Sequence, residues 1–396
     1  MPGWELFDEN EKKQVDEVMD TGVIMRFGFD GARKGRWKAR EMEHAIRKRT
    51  GAAHALLVAD GTAALTVALA ALGIGAGDEV ITAPFTFVAT FESIMAAGAI
   101  PIFAEVDETL CLSPESVREY ITPRTKAVMP VHMCGAAADV DALKAICDEK
   151  GILLVEDACQ AFGATYRGRA VGTIGDAGCY SFDFNKTVTC GEGGALVTNS
   201  REVYERADKY HDHGHDHSMS DRGAEGHDFP GYNYRITELH AAIGLAQIAK
   251  MDRFLAIQRE NKRIFKDEFA AIDEIELRKL PDPEGDAGTF VTFFAKNEET
   301  ARRMARSLKE SGTEGAFHWY DNNWHYIRNW GHFKGRHFVN PAASDILGGM
   351  PDYTKRAFKS DAIMSRAVSI AIKLGWNAEE AAERAKRAAN AIKHSL

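Results

Sequence analysis

The sequence predicts an α/β protein with a mostly parallel sheet covered by helices, followed by a smaller α+β unit. Three observations carry this. Short apolar runs alternate with helical stretches from His54 to Asn199, the rhythm of parallel strands joined by crossover helices. The 396 residues, 45% hydrophobic, exceed what one compact domain commonly holds, so two domains are expected. Beyond the helical stretch Thr237 to Met251 the alternation gives way to isolated strands and charged helices, which sets the expected division at 1–252 and 253–396.

The elements follow in order. Residues 5–20 and Trp37 to Arg49 place apolar residues at helical spacing among charges, the pattern of covering helices. His54 to Leu72 reads as a short strand, a break at Asp60 and Gly61, and an almost wholly apolar helix that must be buried. VITAP is a strand, FTFVATFESIMAAG a helix opening at Phe85 after Pro84, and AIPIFAEV a strand. KAVMPV, a helix around Asp139 to Lys150, ILLVEDA, the strand before Lys186 and GGALVTN continue the series. In the second unit TFVTFFA and GAFHW are strands around a helix from Glu298 to Ser311, and Asn377 with Glu380 three positions on marks the start of the last helix.

Gly178 to Gly194, GCYSFDFNKTVTCGEGG, is the stretch around which the chain is organised. Its strand leads into Lys186 in a glycine-held turn. Upstream, ILLVEDACQAFGA brings Glu156, Asp157 and Gln160 to a strand's carboxyl end, where ligands of open α/β sheets bind. A lysine amine and a buried acid meeting there are what pyridoxal phosphate needs: the amine forms the Schiff base and the carboxylate keeps the pyridine nitrogen protonated. The buried helix opens on Gly61, Thr62 and Ala63, where free amides and the helix dipole can receive a phosphate. Taken alone, this stretch reads first as a tight strand-to-helix turn with Thr62 as a cap. Phe85 or Phe87 can lie against a planar ring, or both can be core aromatics.

A formal charge of −9, from 49 basic and 58 acidic residues, argues against a nucleic-acid or acidic-membrane surface. The six cysteines lie mostly in apolar runs without a CxxC pair, as reduced thiols do. No basic leader with an apolar segment opens the chain and no apolar run reaches transmembrane length, so a soluble, cytoplasmic protein is expected. HDHGHDH at His211 to His217 invites a metal, but Gly214 interrupts it and the chemistry requires none. It is expected to be a polar loop lending an imidazole to a substrate pocket, with no metal bound.

ADGTAALTVALAALGIGAGDEVI, APFTFVAT, VEDACQAFGATYRGRAVGTIGDAGCYSF, KTVTCGEGGALVTN and GYNYRITELHAAIGLAQ, in this order, resemble the successive motifs of the DegT/DnrJ/EryC1/StrS sugar aminotransferases. The resemblance covers about Met1 to Asp252 and is less specific beyond. It implies the aspartate-aminotransferase-like fold type I with a mostly parallel seven-stranded sheet, pyridoxal 5′-phosphate as cofactor, and a homodimer with shared active sites. It implies that Lys186 forms the Schiff base and Asp157 pairs with the ring nitrogen. Gln160 would lie near the ring hydroxyl, Phe85 against the ring, and Gly61, Thr62 and Ser181 around the phosphate. Asn233 would reach the neighbouring subunit's cofactor. Family dehydratases carry histidine where Lys186 stands, so the lysine implies transamination, with glutamate as the usual donor.

Within the family, VHMCG, DHGHDH, NNWHYIRNW and PDYT followed by SDAIMSR resemble members that aminate the 8-aldehyde of 3-deoxy-manno-octulosonate, a lipopolysaccharide sugar. A nucleotide-linked keto-sugar is the alternative acceptor. An acidic sugar needs a cation, and Arg26, Arg235, His215 and His325 are the candidates.

Overall fold

The computed structural model describes residues 1–217, 224–331, 352–353, 356 and 358–396. The chain opens with helix α1 (Glu9–Met19), held by a reciprocal cap between Asp8 and Glu11. The single turn α2 (Asp30–Arg33) precedes α3 (Lys38–Thr50). Then strands and helices alternate: β1 (His54–Val58), α4 (Gly61–Ala71), β2 (Glu79–Thr82), α5 (Ala89–Ala96), β3 (Ile100–Phe103), α6 (Pro114–Tyr120), β4 (Thr125–Val128), α7 (Val140–Lys150) and β5 (Leu153–Asp157). A small ribbon, β6 (Thr165–Tyr166) and β7 (Arg169–Ala170), precedes β8 (Ala177–Ser181) and β9 (Gly194–Thr198).

The seven long strands form one sheet in the order β1-β9-β8-β5-β4-β2-β3. Pairings from β8 through β3 are parallel, and β9 pairs antiparallel with both its neighbours. Six strands therefore share one direction and β9 alone is reversed. Helix α4 has apolar residues all round and is buried but for its ends, packed on β8 and β9. Asp60, not Thr62, is its cap, accepting the Ala63 amide at 2.8 Å.

The helix expected from Phe85 starts only at Ala89. Residues 85–87 stay out of the helix because amides in this stretch are taken from outside: Thr86 N–H donates to the His325 carbonyl at 2.9 Å, and the N–H of Val88, the first residue with helical angles, donates to the Trp324 carbonyl at 3.1 Å. Tertiary pairing overrides local helical preference here.

Helices α8 (Arg201–Tyr210), α9 (Glu238–Ala249) and α10 (Met251–Phe269) lead to the second unit. The division expected after Asp252 falls in the first turn of α10, so a continuous helix links the two sheets. The second sheet contains β10 (Ile275–Leu277), β11 (Phe290–Ala295), β12 (Ala316–His318) and β13 (Ala367–Ala371), in the order β10-β11-β13-β12, all pairs antiparallel. Helix α11 (Glu298–Glu310) lies between β11 and β12, and α12 (Ser360–Met364) precedes β13. Helix α13 (Ala378–His394) closes the chain, with Asn377 and Glu380 capping it reciprocally. Phe265, Phe269, Phe293, Met304, Ile370 and Ile392 fill this unit's own core. Among the described residues no helix is long and apolar enough to cross a membrane.

Candidate active site

Strands that share a direction share an edge at which all their carboxyl ends emerge, and in such sheets that edge is where ligands bind. Here it collects Asp60 and Gly61 after β1, the 85–87 segment after β2, Asp157 at the end of β5 and Ser181 at the end of β8. The reversed β9 contributes its amino end, Gly194.

Asp157 is 3% exposed. Its Oδ2 accepts from Thr90 Oγ1 at 2.7 Å and its Oδ1 from the Cys159 amide at 3.1 Å. Thr86 Oγ1, before the helix, lies 2.5 Å from Thr90 Oγ1 in its first turn, so one hydroxyl backs the other that bonds the carboxylate. The adjacent Glu156 has a different task. Fully buried, it accepts the amides of Gly172, Ile174 and Gly175 at 2.6–2.7 Å and contacts His132 Nε2 at 3.0 Å. Burial alone would raise its pKa, but His132 and these amides hold it below the usual glutamate value. Glu156 therefore ties β5 to the 172–175 loop, and Asp157 is the acid presented at the edge.

Lys186 lies half-buried at the tip of the β8–β9 hairpin, its amide donating to the Asp183 carbonyl at 2.9 Å. Its positive charge is felt by Cys159 and by His325, which places the amine among side chains from the β5 end and the 319–326 segment. Cys190, in the returning arm, is a small core side chain: a Cβ on Gly193 would come 2.4 Å from its Sγ, and one on Gly244 would come 3.5 Å from its Cβ. All six cysteines are free thiols.

A compact cradle lies at the amino end of α4. A Cβ on Gly61 would come within 2.7 Å of Ser181 Cβ and 3.0 Å of its Oγ, and one on Gly194 within 2.2 Å of the Asp60 carbonyl. Only glycine permits these approaches. With the Ala63 amide taken by Asp60, the first-turn amides of Gly61 and Thr62 have no partner within the helix and point outward with the positive end of its dipole. Thr62 is exposed and Ser181 almost buried.

The two phenylalanines of FTFVAT differ. Phe85 has no exposed surface and packs against Trp319 at 5.3 Å between ring centroids. It offers no face to an added ring. Phe87 is half-exposed, flanked by Trp324 at 6.0 Å and His325 at 5.5 Å. His325 Nδ1 lies 2.9 Å from Asn322 Oδ1, so that nitrogen carries the proton and Nε2 keeps its lone pair. Burial, reinforced by the Lys186 charge, lowers its pKa to about 4. Gln160 Oε1 accepts from the Cys134 amide at 3.2 Å, beside the β5 end.

The remaining candidates belong to a separate charged cluster. Arg26, 5% exposed, pairs with Glu43 at 2.5 Å, and Arg235 with Asp212. His215 pairs with Glu225 at 2.8 Å. His217 is stacked on Phe27 and bridges two carboxylates, Asp208 at 2.9 Å and Asp212 at 3.1 Å. Burial would lower its pKa, yet the two carboxylates raise it to about 9. The structure does not bring these cations to Lys186; of the four, His325 alone is placed in its field. Asn233, exposed on this face of the chain, is held by the Arg235 amide donating to its Oδ1 at 3.3 Å. No group of three or more His, Cys, Asp or Glu among the described residues is disposed to hold a metal ion.

Thr86 and Thr90 are the site residues that sequence reasoning missed. Their T-x-x-x-T spacing was available, but only the extended-then-helical path of the segment turns both hydroxyls toward Asp157.

The sequence profile described as "DegT/DnrJ/EryC1/StrS aminotransferase family" matches residues 6–339. GDP-perosamine synthase of Vibrio cholerae is 38% identical over 266 residues, 67% of this chain and 69% of its own. A crystal structure of 3-amino-5-hydroxybenzoic acid synthase is 30% identical and superposes with a TM-score of 0.79, covering 98% of this chain and 97% of its own. The ntda protein of Bacillus subtilis, crystallised with bound cofactor PMP, shares the fold at 22% identity and a TM-score of 0.78, covering 99% and 84%.

Proposed function

Because the chain belongs to the DegT/DnrJ/EryC1/StrS aminotransferase family, whose transaminases depend on pyridoxal phosphate, we propose that it moves the amino group of glutamate onto the keto group of a nucleotide-linked sugar. The observation that carries the chemistry is the convergence of the Asp157 carboxylate, the Lys186 turn and the open amino end of α4 on one sheet edge. A buried acid, an amine, an amide-lined cradle and the half-exposed ring of Phe87 are the donor set the cofactor requires. Pyridoxal phosphate, when bound, supplies the electron sink that makes the carbon bearing the amine acidic.

The chain's own residues do the rest. Lys186 would hold the cofactor through its side-chain amine and would serve as the base and acid that moves a proton at the substrate carbon. Asp157, steadied by Thr90, keeps the pyridine nitrogen protonated. Gly61, Thr62 and Ser181 receive the phosphate and Gln160 meets the ring hydroxyl. Phe87 covers the ring in the place the sequence assigned to Phe85, since Phe85 is fully buried. His325 Nε2 accepts a hydrogen bond from a substrate hydroxyl, its neutral state fixed by burial beside Lys186. Asn233 completes the neighbouring subunit's phosphate site in a homodimer.

The acceptor reading is supported by the relative that makes GDP-perosamine. The 8-aldehyde of 3-deoxy-manno-octulosonate is the second reading. It rests on the VHMCG, DHGHDH, NNWHYIRNW and SDAIMSR motifs; Pro351 and Thr354 of PDYT lie outside the described residues. Either product would serve lipopolysaccharide assembly. Incubating the holoenzyme with glutamate and each acceptor, with 2-oxoglutarate and aminated sugar read by mass spectrometry, decides between them. Amination of the octulosonate alone would replace the nucleotide-sugar reading. The Lys186→Ala variant is expected to lose the borohydride-reducible cofactor adduct and essentially all turnover. A reducible adduct at wild-type yield would overturn the role of Lys186.

A further inference from the structure

The segment Gly3 to Leu6 meets three separate parts of the molecule. Gly3 N–H donates to the Lys186 carbonyl at 2.9 Å. A Cβ at Gly3 would come 2.3 Å from both the Thr187 carbonyl oxygen and Gln247 Oε1 of α9, so the backbone is wedged between the lysine turn and that helix. The Trp4 indole lies face to face with Phe184, two residues before the lysine, at 5.4 Å and 5°. Glu5 Oε2 then accepts the Gly375 amide of the second unit at 2.7 Å, and Lys250 Nζ donates to the Leu6 carbonyl at 2.7 Å. On the far side of the turn Thr187 Oγ1 bonds the Gln258 side chain of α10.

We propose that Gly3 and Trp4 are positioning residues for Lys186: they fix the depth and tilt of the hairpin tip, and so the point from which the amine swings between its two working positions. This rests on the Schiff-base role given to Lys186 above. A lysine has four rotatable carbons beyond its backbone, and nothing in those bonds fixes where the swing begins. In this chain the origin is set by a segment nearly two hundred residues away in sequence, anchored through Glu5 to the second sheet's unit. A misplacement of about 1 Å at such a point costs roughly 100-fold in rate. A contact that only stabilised the fold would leave the chemistry of the amine unchanged.

The test compares Gly3→Val, Trp4→Ala and the surface control Lys12→Ala as holoenzymes. Four quantities are read: cofactor content, thermal midpoint, the pH midpoint of the visible cofactor band, and kcat with KM for glutamate. The expected result is full cofactor content, an unchanged control, and a band midpoint shifted by roughly half a unit or more in both variants. The same variants should lose kcat by roughly tenfold or more while KM changes by less than about twofold. An unshifted band midpoint, or a rate loss explained by lost cofactor or lost thermal stability, overturns the proposal. If Gly3→Val does not fold, Trp4→Ala decides alone. A wild-type protein with no reducible adduct at Lys186 would instead remove the function reading and this proposal with it, and that outcome is distinct from an adduct present but insensitive to Gly3 and Trp4.

Discussion

At the scale of single residues, the acid at the end of β5 is the part of the site most tightly determined by the chain. Asp157→Asn keeps the shape and an acceptor for the Cys159 amide, turns the position facing Thr90 Oγ1 from acceptor to donor, and loses the charge proposed to hold the ring nitrogen protonated. It is expected to fold and bind cofactor while turnover falls roughly 10²- to 10³-fold, the range for removing a preorganised electrostatic stabiliser; steady-state kinetics and cofactor titration check this. Thr90→Val removes one hydrogen bond to that charge and is expected to lower kcat/KM by roughly tenfold, since such bonds are worth about 1.5–3 kcal/mol. Asp157 and Lys186 were legible in the sequence because an acid closing an apolar run and a lysine in a glycine turn each have a chemical meaning on their own. Thr86 and Thr90 were not, and neither was the choice of Phe87 over Phe85. All three depend on residues 85–87 staying out of α5, and that follows from pairing of the Thr86 and Val88 amides with the carbonyls of His325 and Trp324, more than two hundred residues away.

At the scale of elements, the segment after α8 shows what local pattern cannot convey. HDHGHDH reads as a metal site or an open loop, yet besides Asp212 of the motif itself its histidines take partners from elsewhere: Asp208 from α8, Phe27 from before α2, Glu225 from beyond the motif. The cluster has a pH signature. His217, with a folded-state pKa of about 9 against an ordinary 6.5, contributes stability in full below pH 6.5 and loses it as pH rises through 9. His211 acts in the opposite sense. Burial lowers its pKa to about 4, so between pH 6.5 and 4 the unfolded chain takes a proton the native ring refuses, and stability falls with acid. His217→Gln should flatten the alkaline limb of a thermal-midpoint profile between pH 6.5 and 9 and lower the midpoint by a few degrees at neutral pH, while the acid limb persists. The strand β9 poses a related limit. GALVT is an apolar run whichever way it points, and its reversed direction is visible only from its antiparallel registers with β1 and β8.

At the scale of the whole molecule, the α/β layering was legible because strand and helix periods differ and the crossover rhythm repeats from β1 to β8. The second unit was less so: β10 is three residues long, β13 follows a stretch without strong period, and both are defined by pairing with β11. Asn233 belongs to this scale too, since its side chain is exposed in one chain and is read as acting in another. Mixing Lys186→Ala with Asn233→Ala subunits under exchanging conditions is expected to restore up to about a quarter of wild-type activity by forming one intact site in mixed dimers, as avidity-free statistical pairing allows; no recovery despite exchange, followed by native mass spectrometry, would count against shared sites. The reversal of β9 has one more consequence. Because β9 pairs antiparallel with β8, residues 182–193 leave the sheet after Ser181 and re-enter it at Gly194 along the same edge, with Lys186 among them. A loop whose two ends are both held by paired strands has no free end, so the sheet itself limits how far the lysine can stray from the ligand-binding edge.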